Sequence, residues 1–299
     1  MWLTLSIISL LFNTGMRLMQ KAFVSRYPKM NAFRINWLVF SVSLPVIAWI
    51  IVENHTVIQH LSGAFWLVLA VVVLGFYPLV NYLYFDVIRH NDLSDVLPLL
   101  ALTPILTDLF GWFFLDQKPS LTAFIGIMCI FASIYTLHHR KNQTWYAPLQ
   151  SLATSRAAQA MAVISLTTAL AAIGDKFAIE RSTTNIYFAL NSLGAILILL
   201  ISDLYFTRKH SPGIQKELTH SSKAKWIMLG GLGITLLANQ LIGFAAINAA
   251  ANTSYTIGIR NLNVVVASLI AIVLYHESVN RYKFISYGLS AIGVVMIAL

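Results

Sequence analysis

Charged residues and cysteine are both scarce in this 299-residue sequence. Charged side chains make up 10% of it and hydrophobic side chains 58%, whereas soluble globular domains carry about 25% charged residues. A chain this poor in charge cannot cover a water-facing surface, so the composition excludes a soluble globular protein and predicts a lipid environment. The single cysteine, Cys129, excludes both an intrachain disulfide and a cluster of thiolate metal ligands.

The motifs of several catalytic sites are also absent from the sequence. It has no GxxxxGK[ST] phosphate loop, no HExxH zinc motif and no GxSxG nucleophile elbow. We therefore predict no enzyme activity, no metal and no cofactor. The net charge of +9 does not predict a nucleic-acid partner, because the basic residues form short clusters between apolar runs, as they do beside membrane helices. The N-terminus lacks a basic leader and is predicted to be an uncleaved first helix.

Long apolar runs occupy most of the chain. A membrane-spanning helix needs about 20 mostly apolar residues, because the hydrocarbon core is about 30 Å thick. The sequence predicts an all-α membrane protein with ten transmembrane helices: 2–22, 33–52, 64–87, 95–115, 120–138, 157–178, 186–206, 226–249, 254–275 and 282–299. Two units of five spans, residues 1–138 and 157–299, are predicted on either side of a linker at 139–156.

The two predicted units resemble each other in sequence. Span one ends with Lys21 and Arg26, and span six with Lys176 and Arg181, so both carry Lys-x4-Arg. Further identities recur at a spacing of 160 residues: Ser94, Leu102, Leu109, Phe124 and Ile125 with Ser254, Leu262, Leu269, Phe284 and Ile285. Because five is an odd number, the second unit must insert upside down relative to the first. Inverted repeats are typical of secondary transporters, whose substrate site lies near the bilayer midplane.

The positions of lysine and arginine predict an orientation in the membrane. Of the 20 such residues, 15 lie in or beside the loops after odd-numbered spans and only three in the loops after even-numbered spans. Basic residues concentrate on the cytoplasmic side of membrane proteins. We therefore predict a multi-pass protein of the plasma (inner) membrane, with its odd-numbered loops in the cytoplasm and both termini outside.

These features resemble the EamA-type permeases of the drug/metabolite transporter superfamily over nearly the whole chain. The resemblance rests on the five-plus-five spans, the two Lys-x4-Arg ends, the segment 95–104 (DVLPLLALTP), and His276-Glu277 before the last hairpin, where the first repeat has Asp116-Gln117. It implies a central cavity lined by spans one, three, four, six, eight and nine, alternating access, and export of amino acids or other metabolites. Typical bacterial members place both termini in the cytoplasm, opposite to the charge count.

Ionisable residues inside the spans predict where such a cavity lies. An aspartate, lysine or arginine at a helix centre costs about 2.5–3.5 kcal/mol on insertion scales, so it faces a cavity or a partner. In span one, Asn13, Arg17 and Lys21 share one face. Arg17 either lines the cavity or reaches the interface, and Lys21 is expected to reach the interface. In span nine, Arg260 lies about 6 Å from the midplane, which predicts a cavity or a buried ion pair.

Asp108 of span four lies at a depth similar to that of Arg260, because spans four and nine run in opposite directions. Two hypotheses follow for this carboxylate. It forms an ion pair with Arg260 whose Coulomb attraction offsets desolvation, or it is a proton-coupling group. Asp175, near the end of span six, is predicted to anchor that span at the interface, with cavity lining as the alternative.

Amide and aromatic side chains complete the candidate site. Amides either bind substrate or hold helices together, and Tyr77, Tyr84 and Trp112 are a candidate cage for a cationic or aromatic substrate. Pro98 and Pro104 predict a bend in span four. The predicted substrate-binding residues are Asn13, Arg17, Tyr77, Asn81, Thr103, Asp108, Asn239, Gln240, Arg260 and Asn263.

The sequence thus favours a secondary active transporter that exports a small polar metabolite, such as an amino acid or a related carboxylate-bearing compound. Two intramembrane arginines favour a carboxylate or phosphate on that substrate. A flippase for lipid or lipid-linked substrates and a transporter of cationic or aromatic compounds remain as alternatives. The expected partners are the substrate, the lipid bilayer and protons, and the expected oligomeric state is a monomer or weak homodimer.

Overall fold

The computed structural model describes residues 1–28, 30–117, 120–138, 153–210, 223–275 and 281–298, and these ranges contain helices and no strand. Most of the predicted linker (139–152) and His276-Glu277 lie outside them. The first half contains α1 (Trp2–Arg26), α2 (Ala32–Ser41), α3 (Leu44–Glu53), α4 (His55–Gln59), α5 (Gly63–Ala70), α6 (Tyr77–His90), α7 (Leu93–Val96), α8 (Leu102–Leu115) and α9 (Leu121–His138). The second contains α10 (Arg156–Glu180), α11 (Thr184–His210), α12 (Lys223–Ala249), α13 (Thr253–Asn261), α14 (Asn263–Tyr275) and α15 (Arg281–Ala298).

Polar residues begin several of these helices. The Asn31 side chain accepts a hydrogen bond from the Phe33 amide at 3.1 Å, and Ser62 and Ser155 cap α5 and α10 in the same manner. Such side chains satisfy backbone donors that have no partner within the first helical turn. Capping matters especially in a membrane, where an unpaired backbone group has no water to bind.

Several predicted spans depart from a regular α-helix. The span predicted at 33–52 is broken, because α2 and α3 meet at an angle of 53°. A π-helical segment, Val71–Phe76, joins α5 to α6, and a 3-10 segment, Leu97–Ala101, precedes α8. Pro78 and Pro98 lie in the first turns of α6 and of the 3-10 segment, where the missing amide hydrogen costs least. A 3-10 segment thus precedes α8 in span four, and the predicted bend of that span stays a prediction.

Seven helices in the described ranges are long and apolar enough to cross a membrane, and the bent pair α2–α3 makes an eighth candidate. They are Trp2–Arg26, Gly63–His90, Leu97–Leu115, Arg156–Glu180, Thr184–Phe206, Lys223–Ala249 and Thr253–Tyr275. Helix α9 contributes a shorter apolar stretch, Leu121–Ser133. The fold is thus an all-helical bundle with at least seven candidate spans, and the count of ten stays a prediction.

Helices α9 and α15 cross at very close range because glycines meet at the crossing. A Cβ atom built on Gly126 would lie 2.5 Å from the Gly293 carbonyl oxygen, and one on Gly293 would lie 2.6 Å from the Gly126 carbonyl oxygen. Next to this crossing, the Ser133 hydroxyl lies 3.0 Å from that of Ser286 and 2.5 Å from that of Ser290. Small residues and interhelical hydroxyl contacts are the usual means of helix association in membranes.

A buried ion pair joins α2 to α11. Arg34 Nε lies 2.9 Å from Asp203 Oδ2, and the two side chains are 9% and 3% exposed. The same carboxylate accepts hydrogen bonds from Trp37 Nε1 at 3.1 Å and Asn31 Nδ2 at 3.2 Å. The desolvated carboxylate is therefore surrounded by donors, which a stable buried ion pair requires.

Two lysines occupy equivalent places in the two halves of the chain. Lys21, near the end of α1, donates to the carbonyl oxygens of Ile88 and Asn91, each at 2.8 Å. Lys176, near the end of α10, donates to the carbonyl oxygens at 247, 248 and 250 at 3.1–3.3 Å. Each ammonium therefore satisfies carbonyls at the C-terminal end of a neighbouring helix, α6 or α12. Its positive charge also interacts favourably with the negative end of that helix dipole. The prediction that Lys21 reaches the membrane interface misses this partner.

Candidate functional site

A cavity of about 280 Å³ lies inside the bundle. Its lining comes from α1, the π segment with α6, α8, α10, α12 and α13, which correspond to predicted spans one, three, four, six, eight and nine. Helix α2 adds Asn36, Val39 and Phe40. The volume is at the lower end of the range for small-molecule sites, about 300–1,000 Å³, and so matches a metabolite better than a lipid.

The structure brings eight of the ten predicted binding residues to this cavity. They are Asn13, Arg17, Tyr77, Asn81, Thr103, Asn239, Gln240 and Arg260. Asp108 and Asn263 are buried, with exposures of 5% and 2%, but do not line it. A residue's depth along a span follows from its sequence number, whereas the direction in which its side chain points depends on how the helix is rotated against its neighbours.

Asp108 and Arg260 form no ion pair in the part of the chain that the structure describes. The carboxylate that shares the cavity with Arg260 is instead Asp175 of α10. Asp175 accepts a hydrogen bond from the hydroxyl of Tyr187. Of the two roles considered for Asp175, the structure therefore places this residue in the cavity lining.

Arg17 lies over an aromatic ring, with its Cζ atom 4.2 Å from the centroid of Tyr84. A guanidinium over a ring face gains electrostatic attraction while its in-plane N–H donors remain available. Arg17 Nε is buried and has no hydrogen-bond partner in the described part of the chain. The ring face of Tyr84 is thus occupied by Arg17, and Trp112 is 53% exposed away from the cavity, so the three residues of the predicted aromatic cage do not come together.

Buried polar atoms without hydrogen-bond partners are concentrated at the cavity wall. Six lining residues carry such an atom: Asn13, Arg17, Gln20, Tyr84, Arg260 and Asn261. Buried polar groups in proteins are nearly always paired with protein, water or ligand. This wall combines donors on the two arginines with acceptors on the amides, so it is equipped to bind a polar molecule.

A hydrogen-bonded group surrounds the hydroxyl of Tyr77. That oxygen accepts from Asn191 Nδ2 at 2.8 Å and from Gln240 Nε2 at 3.4 Å. The Gln240 carbonyl in turn accepts from Ser192 at 3.3 Å. These contacts join α6, α11 and α12, so Gln240 acts partly as a link between helices. Because the Tyr77 oxygen already accepts two hydrogen bonds, its own proton is directed toward other acceptors.

Electrostatically the cavity is positive. Its charged lining residues are Arg17, Asp175 and Arg260, which gives a formal charge of +1. Such a wall suits a substrate with an anionic group, and the nearby carboxylate also accepts a cationic group on the same molecule.

Sequence reasoning missed several lining residues. Gln20 follows Arg17 by three positions, so a helical periodicity places both on one face, and this signal was available. Asn261 adjoins Arg260 at the end of α13 and had no separate signal in the sequence.

Comparison with known proteins gives evidence on the family and on the fold. Residues 1–138 match the EamA-like transporter family, which confirms the resemblance inferred from the sequence for that part. Among curated proteins nothing matches. One protein of known crystal structure superposes with a TM-score of 0.63 over 96% of this chain and 95% of its own, at 14% identity. This similarity shows that the whole chain shares its overall fold with that protein.

Proposed function

We propose that this chain exports a small polar metabolite by alternating access. The proposal rests on the match of residues 1–138 to the EamA-like transporter family, which is part of the drug/metabolite transporter superfamily. This family match supports a multi-pass membrane transporter rather than an enzyme, in keeping with the apolar helices. The proposed substrate bears a carboxylate, as an amino acid does. The proposed location is the plasma membrane, with the odd-numbered loops in the cytoplasm.

The observation that carries the proposal is the pair of guanidinium groups in one cavity, each with a buried Nε that lacks a partner within the ranges that the structure describes. An arginine binds a carboxylate through two parallel hydrogen bonds, which gives both strength and direction. Arg17 and Arg260 come from α1 and α13, which lie in different halves of the chain. A substrate held between them would therefore bridge the two units that move in alternating access.

The proposed architecture is ten spans in two inverted repeats, residues 1–138 and 157–299. The lysine contacts support it, because Lys21 and Lys176 each bind carbonyls at the end of the third predicted span of their own unit, α6 and α12 respectively. The sequence equivalence of the two Lys-x4-Arg ends thus corresponds to an equivalent contact in space.

For proton coupling, Asp175 is better placed than Asp108. A coupling group must compete with the substrate for the same partner, and Asp175 shares the cavity with Arg260, whereas Asp108 lies outside it. In this scheme the proton and the substrate anion alternate at one site. Asp175→Asn is expected to abolish the pH dependence of transport, while Asp108→Asn, the matched control, retains it.

Export from proteoliposomes tests the proposal. The purified chain is reconstituted into liposomes loaded with an equimolar mixture of the twenty standard L-amino acids, and mass spectrometry measures their release. Wild-type protein should release a subset. Arg17→Ala with Arg260→Ala should lower that release by about tenfold or more, since a hydrogen bond to a charged group contributes about 1.5–3 kcal/mol.

Arg181→Ala is the control for this experiment, because Arg181 is an exposed arginine outside the cavity. It should retain wild-type release. The corresponding amino acid amides, which lack the carboxylate, should be poor competitors. Undiminished release by the double variant would contradict the assigned site. Absence of amino acid release together with movement of a fluorescent phospholipid between leaflets would favour the flippase alternative.

A further inference from the structure

The Arg260 guanidinium lies against the backbone of α12 at Gly243, where any side chain would require the guanidinium to move. A Cβ atom built on Gly243 would lie 2.8 Å from Arg260 Cζ, 2.8 Å from Nη2 and 2.9 Å from Nη1. Carbon atoms in contact stay about 3.5–4.0 Å apart. Any side chain at residue 243 would therefore overlap the guanidinium by roughly 1 Å.

The near-equality of these three distances gives the orientation of the group. A Cβ atom in the guanidinium plane, beyond the two Nη atoms, would be clearly closer to nitrogen than to Cζ. Equal distances place it instead over the flat face. The face of the guanidinium therefore rests on Gly243, and its N–H donors, which lie in the plane, point sideways rather than into α12. In agreement, Arg260 Nε has no hydrogen-bond partner among the described residues.

We propose that Gly243 is a positioning residue for substrate recognition. It provides a flat surface that fixes the plane of the Arg260 guanidinium and thereby aims its paired donors at the anionic group of the substrate. This inference rests on the proposed function for its ligand. Its steric core, that a side chain at residue 243 displaces the Arg260 guanidinium from this position, is testable without any ligand.

The matched control lies on the same helix. A Cβ atom on Gly230 would meet nothing within 4 Å, so Gly230→Ala changes the helix backbone in the same manner without touching Arg260. A double-mutant cycle then separates the two possible costs of Gly243→Ala, because it measures the coupling between two positions. In an Arg260→Ala background the guanidinium is gone, and the new methyl group has room.

The test measures melting temperature and export of the twenty-amino-acid mixture for wild type, Gly243→Ala, Gly230→Ala, Arg260→Ala and the Gly243→Ala/Arg260→Ala double variant. Gly243→Ala should lower the melting temperature by about 2–4 °C or more and raise the half-saturating concentration by about tenfold, with a smaller effect on maximal rate. Neither change should appear when Gly243→Ala is added to Arg260→Ala. Gly230→Ala should match wild type.

An equal loss from Gly243→Ala in both backgrounds would overturn the proposal, since it would show that the methyl group disturbs the helix and not Arg260. Unchanged melting temperature and export in Gly243→Ala would overturn it as well. If Arg260→Ala alone leaves export intact, the proposed substrate site fails, and the temperature cycle still decides whether Gly243 positions Arg260. Should Gly243→Ala be too unstable to purify, recovery of folded protein in the double variant supports the steric argument and its absence opposes it.

Discussion

Removing the charge of Asp203 is expected to destabilise the protein far more than removing that of Asp95. Asp203 is 3% exposed and lies 2.9 Å from Arg34 Nε, with Trp37 and Asn31 as further donors. Asp203→Asn leaves the Arg34 guanidinium buried without its counter-charge, which typically costs about 3–5 kcal/mol. At about 2–4 °C per kcal/mol for chains of this size, the melting temperature should fall by about 6–20 °C.

Asp95 provides the comparison because its ion pair with Lys283 is short, at 2.6 Å, and its carboxylate is 51% exposed, although the Lys283 side chain is only 10% exposed. Water solvates and screens a half-exposed carboxylate, so Asp95→Asn should lower the melting temperature by less than Asp203→Asn does. Thermal unfolding of the purified protein, followed by tryptophan fluorescence, measures both. Apolar replacement of both partners, Arg34→Met with Asp203→Leu, should recover most of the loss. Equal shifts for Asp203→Asn and Asp95→Asn would refute the reasoning from burial.

Three further outcomes are expected. Lys176→Met removes an ammonium that binds three carbonyl oxygens and should cost about 1–3 kcal/mol, measured by thermal unfolding; a loss no larger than that of exposed Arg181→Ala would contradict the capping role. Gly293→Ala places a Cβ atom 2.6 Å from the Gly126 carbonyl oxygen and should cost about 1–3 kcal/mol from overpacking, whereas Gly288→Ala, with nothing within 4 Å, should be neutral. Asp175→Asn should flatten the dependence of export rate on pH, measured between pH 5.5 and 8 in proteoliposomes. A pH profile like that of the wild type would show that Asp175 is not the proton-coupling group.

The sequence was most informative where one residue had few physical options. An arginine about 6 Å from the midplane cannot remain in hydrocarbon, and the structure places Arg260 in the cavity wall. The family was recognisable because its features are repeated along the chain and do not depend on one motif.

Partners on other helices were harder to obtain from the sequence. Asp108 was matched with Arg260 on depth, but the described part of the structure shows no ion pair between them. Lys21 was expected to reach lipid headgroups, whereas its acceptors are carbonyl oxygens, which every residue possesses and no pattern distinguishes. Gly243 was passed over for a related reason: the need for glycine arises from a guanidinium 17 positions away and not from the local backbone.

The two lysine contacts restrict how the bundle can move. Each ammonium holds the last carbonyls of a neighbouring helix, so α1 is tied to α6 and α10 to α12 at one end. Sliding either pair by one helical turn, about 5.4 Å, would separate an ammonium from these carbonyl oxygens. We therefore expect each pair to move together, and we expect bending where the backbone already departs from a straight helix, such as the 53° bend between α2 and α3.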